Sequence, residues 1–276
     1  MCMIVCCLFS AADPSIGRID KFALPHETLM ELFIEGISNK ENIYKNEKPI
    51  SLAHWEKFDV KFNDSKEEIR KIDWTFAELS GTIDLRWLPD SLESLRLHHN
   101  CLTGSMLLDS LPDSLEMLML ETNEFTGEID LCHLPQALHT LSASANALFG
   151  TLNLTRLPPV LIELSLNTNA FVGSICLTAL PKSLQILNLS ENKLSGTLDL
   201  TQLPPDMEEL HLDDNTFSGW TNFDALENFE TVSLSNNPDL SGTIEFQKYQ
   251  VLNVGNTEIR INSWRYEHWR KMSSHV

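Results

Sequence analysis

The sequence predicts a solenoid of short stacked turns, with a curved parallel β-sheet on the concave face, short extended and turn segments on the convex side, and a partly helical N-terminal cap. Three observations predict it. Glycine returns every 23 residues at Gly81, Gly104, Gly127, Gly150, Gly173, Gly196, Gly219 and Gly242. Proline keeps the same step at Pro89, Pro112, Pro135, Pro158, Pro181 and Pro204, and asparagine keeps it at Asn100, Asn123, Asn146, Asn169, Asn192 and Asn215. A fixed period in three residue types with special backbone roles marks one supersecondary unit repeated. No single unit can bury its own apolar face, so stacked neighbours must supply a continuous core.

Each letter of the unit has a physical reason. The unit starting at Leu184 reads LQILNLSENKLSGTLDLTQLPPD, and its L-x-L alternation puts two leucines inward and one residue outward, the period of a strand. The Asn that closes the strand can donate to and accept from backbone groups of adjacent turns. Gly permits the unusual backbone of the bend into a second extended segment, GTLDL here. Leu-Pro ends that segment, because Pro has no amide to give to a ladder. The repeats are expected to run over residues 69–257 as about eight to nine units, with Ala77 and Thr257 standing in the Asn column at the ends and Asn237 arriving one residue early.

The core L-x-x-L-x-L-x-x-N-x-L resembles the leucine-rich repeat. With the Leu-Pro step and the Gly, it is similar to a 23-residue type of protozoan, trypanosomatid-like leucine-rich repeat protein. The resemblance implies the fold and, through it, a protein-binding role; it carries no information about the partner. Residues 13–68 are expected to form the N-terminal cap: ETLMELFIEGI has apolar residues at helical spacing, and Trp55 to Phe62 is a second aromatic-bearing stretch. This layout resembles the cap of plant-type leucine-rich-repeat ectodomains, without the paired cysteines those caps carry.

The ends differ from the body. Residues 1–12, MCMIVCCLFSAA, read as either a short apolar leader or a plain tail. Residues 258–276 form a basic aromatic C-terminal cap, with Trp264, Tyr266 and Trp269 interleaved with Arg265, Arg270 and Lys271. The body is acidic: five Lys/Arg face twenty-three Asp/Glu between Gly81 and Glu245, and the whole chain has a formal net charge of -19. Such a field repels nucleic acid and favours a cationic protein partner. No run reaches the roughly 20 apolar residues of a membrane span. Outside the leader only Cys101, Cys132 and Cys176 occur, too few and too scattered for a disulfide framework. The sequence therefore favours a cytoplasmic chain, monomeric outside a complex. The alternative is a secreted or surface structural protein that contacts glycans, if residues 1–12 belong to a signal peptide and the sequons at Asn63, Asn153 and Asn188 are used. A constitutive place in a large assembly is a further alternative.

Nucleophile-elbow, phosphate-loop and zinc-helix motifs are missing from the sequence, so neither an enzyme nor a cofactor is expected. Function is expected on the outward strand positions. One row runs Asp73, Arg96, Met119, Ser142, Ser165, Asn188, His211; the row before it runs Lys71, Ser94, Met117, Thr140, Glu163, Ile186, Glu209; and the row after it runs Thr75, His98, Glu121, Ser144, Asn167, Ser190, Asp213. Two clusters stand out as candidate partner-binding sites. Arg96, His98, Met117, Met119 and Glu121 combine adaptable apolar side chains with a polar anchor. Glu209, His211 and Asp213, with Glu191 and Asp214, make an acidic patch suited to a basic partner.

Overall fold

The computed structural model describes residues 21–44, 51, 54–55, 59–65, 67–226, 229–245 and 251–262 of the chain. The leader and residues 263–276 of the aromatic tail read from the sequence lie outside the described residues, while residues 258–262 of that tail form a strand. Two sheets run the length of the stack. The first has ten strands in the order β1 (Val60–Phe62), β2 (Ile69–Asp73), β4 (Ser94–Arg96), β6 (Met117–Met119), β8 (Thr140–Ser142), β10 (Glu163–Ser165), β12 (Ile186–Asn188), β14 (Glu209–His211), β16 (Thr231–Ser233) and β18 (Val251–Asn253). All neighbours in it are parallel except β1, which pairs antiparallel with β2. This is the curved sheet of a leucine-rich-repeat solenoid.

The second sheet has nine parallel strands: β3 (Ser80–Thr82), β5 (Cys101–Ser105), β7 (Glu124–Gly127), β9 (Ala147–Thr151), β11 (Ala170–Gly173), β13 (Lys193–Gly196), β15 (Thr216–Asn222), β17 (Asp239–Glu245) and β19 (Glu258–Asn262). In most turns these strands end at the repeat glycine or just beyond it, so the extended segment comes earlier than the sequence suggests. The cause is the asparagine ladder, which fixes the residues directly after each Asn as extended. The glycines then hold φ near +83 to +101° from Gly81 to Gly219, where the chain leaves the strand.

Each ladder asparagine ties its own turn to the one before. The Asn192 Nδ2 amide donates to Leu189 O at 3.2 Å and to Leu166 O of the preceding turn at 3.1 Å, while its Oδ1 accepts from Phe171 N at 3.1 Å. Asn123, Asn146, Asn169 and Asn215 repeat this pattern. Asn237, though one residue early, makes the same bonds to Leu212 O, Leu234 O and Phe217 N. The turn shortens and the ladder is kept. Inside, the strand leucines from Leu95 to Leu210 are fully buried. Opposite them, Leu102, Phe125, Leu148, Phe171, Leu194, Phe217 and Leu240 alternate ring and aliphatic along the stack, so each phenyl sits between two leucines at crystal-like density.

The cap closes the first turn with polar as well as apolar bonds. Helix α1 (His26–Phe33) buries Leu29, Met30 and Phe33, and Phe33 stacks on Trp74 at 6.0 Å between ring centroids. Trp55 lies 6.2 Å from Trp74 on the same aromatic cluster. The chain after α1 pairs with β3: Ser38 N donates to Ser80 O at 2.8 Å, and Thr82 N to Gly36 O at 2.9 Å. Asn39 Oδ1 accepts from Ser80 N, and Asn42 Nδ2 donates to Ala77 O, so two cap side chains serve the turn whose ladder position is Ala77.

A second side-chain column supports the convex corners. Leu-Pro turns close by hydrogen bonds such as Leu92 N to Pro89 O. Ahead of them, Asp84, Asp130, Asn153, Asp199 and Asn222 accept from the backbone amide two residues on. Bonds from Cys132 N and the His133 ring hold the Asp130 carboxyl below its ordinary range, and bonds from the Thr201 hydroxyl and amide do so for Asp199. Leu107 breaks the column: it precedes a 3-10 turn with no side-chain cap and is exposed. Leu107→Asn should therefore raise stability by about 1 kcal/mol, the value of a regained cap. Urea denaturation would read this as a higher midpoint at unchanged slope; an unchanged midpoint would rule the gain out.

Candidate functional site

The parallel register aligns the outward residues into the rows read from the sequence. Ser94, Met117, Thr140, Glu163, Ile186, Glu209, Thr231 and Val251 stand opposite one another on successive strands, as do Arg96, Met119, Ser142, Ser165, Asn188, His211, Ser233 and Asn253. Strands β6, β10, β12 and β14 bury only their central residue and leave its neighbours half-buried.

Toward the N-terminal end, Arg96, His98, Met117, Met119 and Glu121 lie on adjacent turns and share partners. The Arg96 guanidinium approaches Met117 Sδ at 3.3 Å and the Asp73 carboxylate at 3.7 Å. Thr75 donates its hydroxyl to Asp73 at 2.7 Å and lies 3.4 Å from His98 Nδ1. His98 Nδ1 in turn stands 3.7 Å from Glu121 Oε1. Glu121 Oε2 is buried without a hydrogen-bond partner, which leaves a desolvated acceptor beside the imidazole.

Two residues absent from the sequence-derived candidates join this cluster. The Phe76 and His99 rings stack at 4.3 Å with an interplanar angle of 7°, and Phe76 is 69% exposed. Both occupy the position just before the ladder residue, where the backbone takes φ near +50 to +56° in every turn from Phe76 to Asn256. That column suits Asn or Asp; an exposed phenylalanine there is the signal that could have singled it out.

The acidic patch is more dispersed. His211 Nε2 lies 3.1 Å from Glu209 Oε2 on β14. Asp213 follows two residues on and is half-buried. Glu191 Oε2 accepts from the Thr168 hydroxyl at 3.2 Å, and Asp214 Oδ1 from Asn236 Nδ2 at 2.9 Å. Among the described residues no group of His, Cys, Asp and Glu could hold a metal ion. The structure does not bring the two patches together. Four strand intervals, β6 to β14, separate Met119 from His211, or ~19 Å at about 4.8 Å each. Ser142, Ser144, Ser165 and Ser190 make a low floor between them.

Stacked parallel strands joined by an asparagine ladder define the chain as a leucine-rich-repeat solenoid. No protein-family model and no curated protein matches it. Among solved structures it is similar to the Arabidopsis receptor kinase HAESA, solved with the peptide hormone IDA and the co-receptor SERK1, at 27% identity over 65% of this chain and 32% of that one, TM-score 0.52. It is also similar to the leucine-rich-repeat ectodomain of the Arabidopsis thaliana membrane receptor kinase GASSHO1/SCHENGEN3, at 22% identity over 86% of this chain and 36% of that one, TM-score 0.57. A plant ice-binding protein matches at 17% identity over 85% of this chain and 86% of that one, TM-score 0.59. The chain spans about a third of the length of the HAESA and GASSHO1/SCHENGEN3 chains. Among the described residues no helix is long and apolar enough to cross a membrane.

Proposed function

We propose that the chain is a non-enzymatic recognition module of the 23-residue, trypanosomatid-like repeat type, monomeric outside its complex, that binds a basic protein partner along the concave sheet. The observation that carries this reading is the row system of that sheet, which reaches solvent among the described residues: adaptable methionines and an aromatic stack at one end, carboxylates at the other. Protein recognition by HAESA, solved with a peptide hormone and a co-receptor, lends support by analogy of fold. Cytoplasmic residence is part of the same proposal, supported by the free thiols of Cys101, Cys132 and Cys176.

The test uses two variants, Arg96→Ser with Met117→Ser and Met119→Ser, and Glu209→Gln with Asp213→Asn and Asp214→Asn. Each is compared with the wild-type chain in affinity capture read by quantitative mass spectrometry. At least one should lose its main protein partner by tenfold or more while circular dichroism and melting stay unchanged. Identical recoveries from all three chains would defeat the concave-face reading. The exposed sequon residue Asn153 favours a secretory setting as the second reading. A mobility shift of the native protein on peptide-N-glycosidase treatment would establish it.

A further inference from the structure

The ten-stranded sheet has two chemically different ends, and we propose that its occupant is one extended peptide segment laid across the strands, with an aromatic or large aliphatic anchor at the N-terminal end and two Lys or Arg residues toward the C-terminal end. This inference rests on the concave-face reading and specifies its partner.

The N-terminal end selects for an apolar group. Phe76 keeps most of its surface exposed although one ring face is stacked on His99. Its left-handed backbone is a conformation that disfavours a bulky side chain, so the exposed ring is held against local preference. Met117 and Met119 lie two turns away and offer polarizable sulfur to an aromatic ring. Arg96 lies 3.7 Å from the Asp73 carboxylate, which offsets its charge, so the exposed Phe76 ring and the methionines are the contacts this end offers.

The C-terminal end selects for positive charge. From β8 to β14 the three outward rows and the left-handed column contain Glu163, Glu191, Glu209, Asp213 and Asp214 and not one Lys or Arg. A cation is the complement that these rows lack, and a pair of them would engage side chains spread over two turns. The serine floor between the ends leaves room for a peptide backbone and offers hydroxyls that both donate and accept.

The strand spacing sets the length. Met119 to the β14 row is four intervals and Phe76 to that row is six, or roughly 19 and 29 Å at about 4.8 Å per interval. An extended chain covers about 3.3 Å per residue, so anchor and cations should stand roughly six to nine residues apart.

The test uses fluorescein-labelled peptides carrying one Trp and an Arg pair joined by Gly-Ser spacers of about two, four, six, eight and fourteen residues, titrated against the full chain by fluorescence anisotropy. Spacers too short to span should bind about tenfold or more weakly than those of six to nine, and longer ones should decline gently. Phe76→Ala with His99→Ala should remove the benefit of Trp, and Glu209→Gln with Asp213→Asn should remove the benefit of Arg and most of the salt dependence. Affinity independent of spacing, or set by the Arg pair alone, overturns the two-ended peptide and leaves the concave-face reading intact if the acidic variant still weakens binding. Peptides that bind both variants as tightly as the wild-type chain would count against that reading itself. If none of the peptides binds, the proposal fails while partner capture still decides the broader reading.

Discussion

Asn215→Asp is expected to cost the solenoid about 4 kcal/mol at neutral pH, although it exchanges one amide for one carboxylate. Asn215 is buried, donates to Leu189 O at 3.0 Å and Leu212 O at 3.2 Å, and accepts from Leu194 N at 2.9 Å. An ionised carboxylate keeps the acceptor and loses both donors, so its oxygen faces two carbonyl oxygens inside the protein. Each buried acceptor left without its donor costs about 1–3 kcal/mol, and the uncompensated charge adds to this. Asn215→Ala should cost less, about 3 kcal/mol, because it removes the donors and the acceptor but buries no charge. The introduced acid would have a folded-state pKa raised above its unfolded value by burial, so the folded protein binds more protons and the defect should shrink as pH falls. Urea denaturation at pH 7 and pH 5 measures both effects. Because repeat arrays hold together through nearest-neighbour interfaces, a defect at this interior turn should also lower the unfolding slope as the last turns uncouple from the longer N-terminal part of the stack. An Asp variant as stable as wild type would mean the ladder does not hold the turns together.

The second large effect is expected at the junction of cap and repeats. Gly81 has φ of +97°, and a β-carbon there would lie 2.3 Å from Gly36 O and 2.8 Å from Ser38 N. Those are backbone atoms of the segment that pairs with β3, so they cannot rotate away. Gly81→Ala should cost about 3 kcal/mol, combining the left-handed backbone penalty with displacement of the cap. Gly104→Ala is the control: its φ of +93° is similar, but its β-carbon would meet only the Thr82 methyl at 3.2 Å. It should cost about 1 kcal/mol. Tryptophan fluorescence separates the two, because undocking the cap opens the Phe33–Trp74–Trp55 cluster and should red-shift emission in the Gly81 variant alone. Equal losses in both variants would show that the cap contributes nothing through this contact.

The periodic part of the fold was legible because its physics is periodic. Asn192 and Gly196 recur at fixed intervals since every turn must satisfy the same buried amides and make the same bend. Asn237 breaks the spacing in sequence and keeps the bonding in space, because the ladder depends on the position of an amide group and a shorter corner can deliver it. What the sequence left unread is what happens once. Asn39 and Asn42 serve the turn that carries Ala77 from about 35 to 41 residues away, and no local pattern marks a side chain that substitutes across such a distance. The rows holding Arg96, Met117, Met119 and Glu209 were readable from the strand period. The Phe76–His99 stack was not, because it lies on the left-handed corner beside the strand, where the alternation of inward and outward residues has already ended. The unpartnered Glu121 oxygen likewise depends on side-chain packing that spacing does not encode.

The claim that the concave sheet is the recognition surface is tested most directly by placing a photocrosslinking amino acid at two positions in turn, Ser165 on the floor of that sheet and Thr197 directly after β13 of the second sheet, and irradiating the chain in extract of its own cells. Both side chains have solvent access, so either position accepts the probe without disturbing the core. The account predicts discrete crosslinked proteins from position 165, suppressed by the Glu209 and Asp213 substitutions, and background labelling from position 197. Discrete products from position 197 with none from position 165 would contradict it.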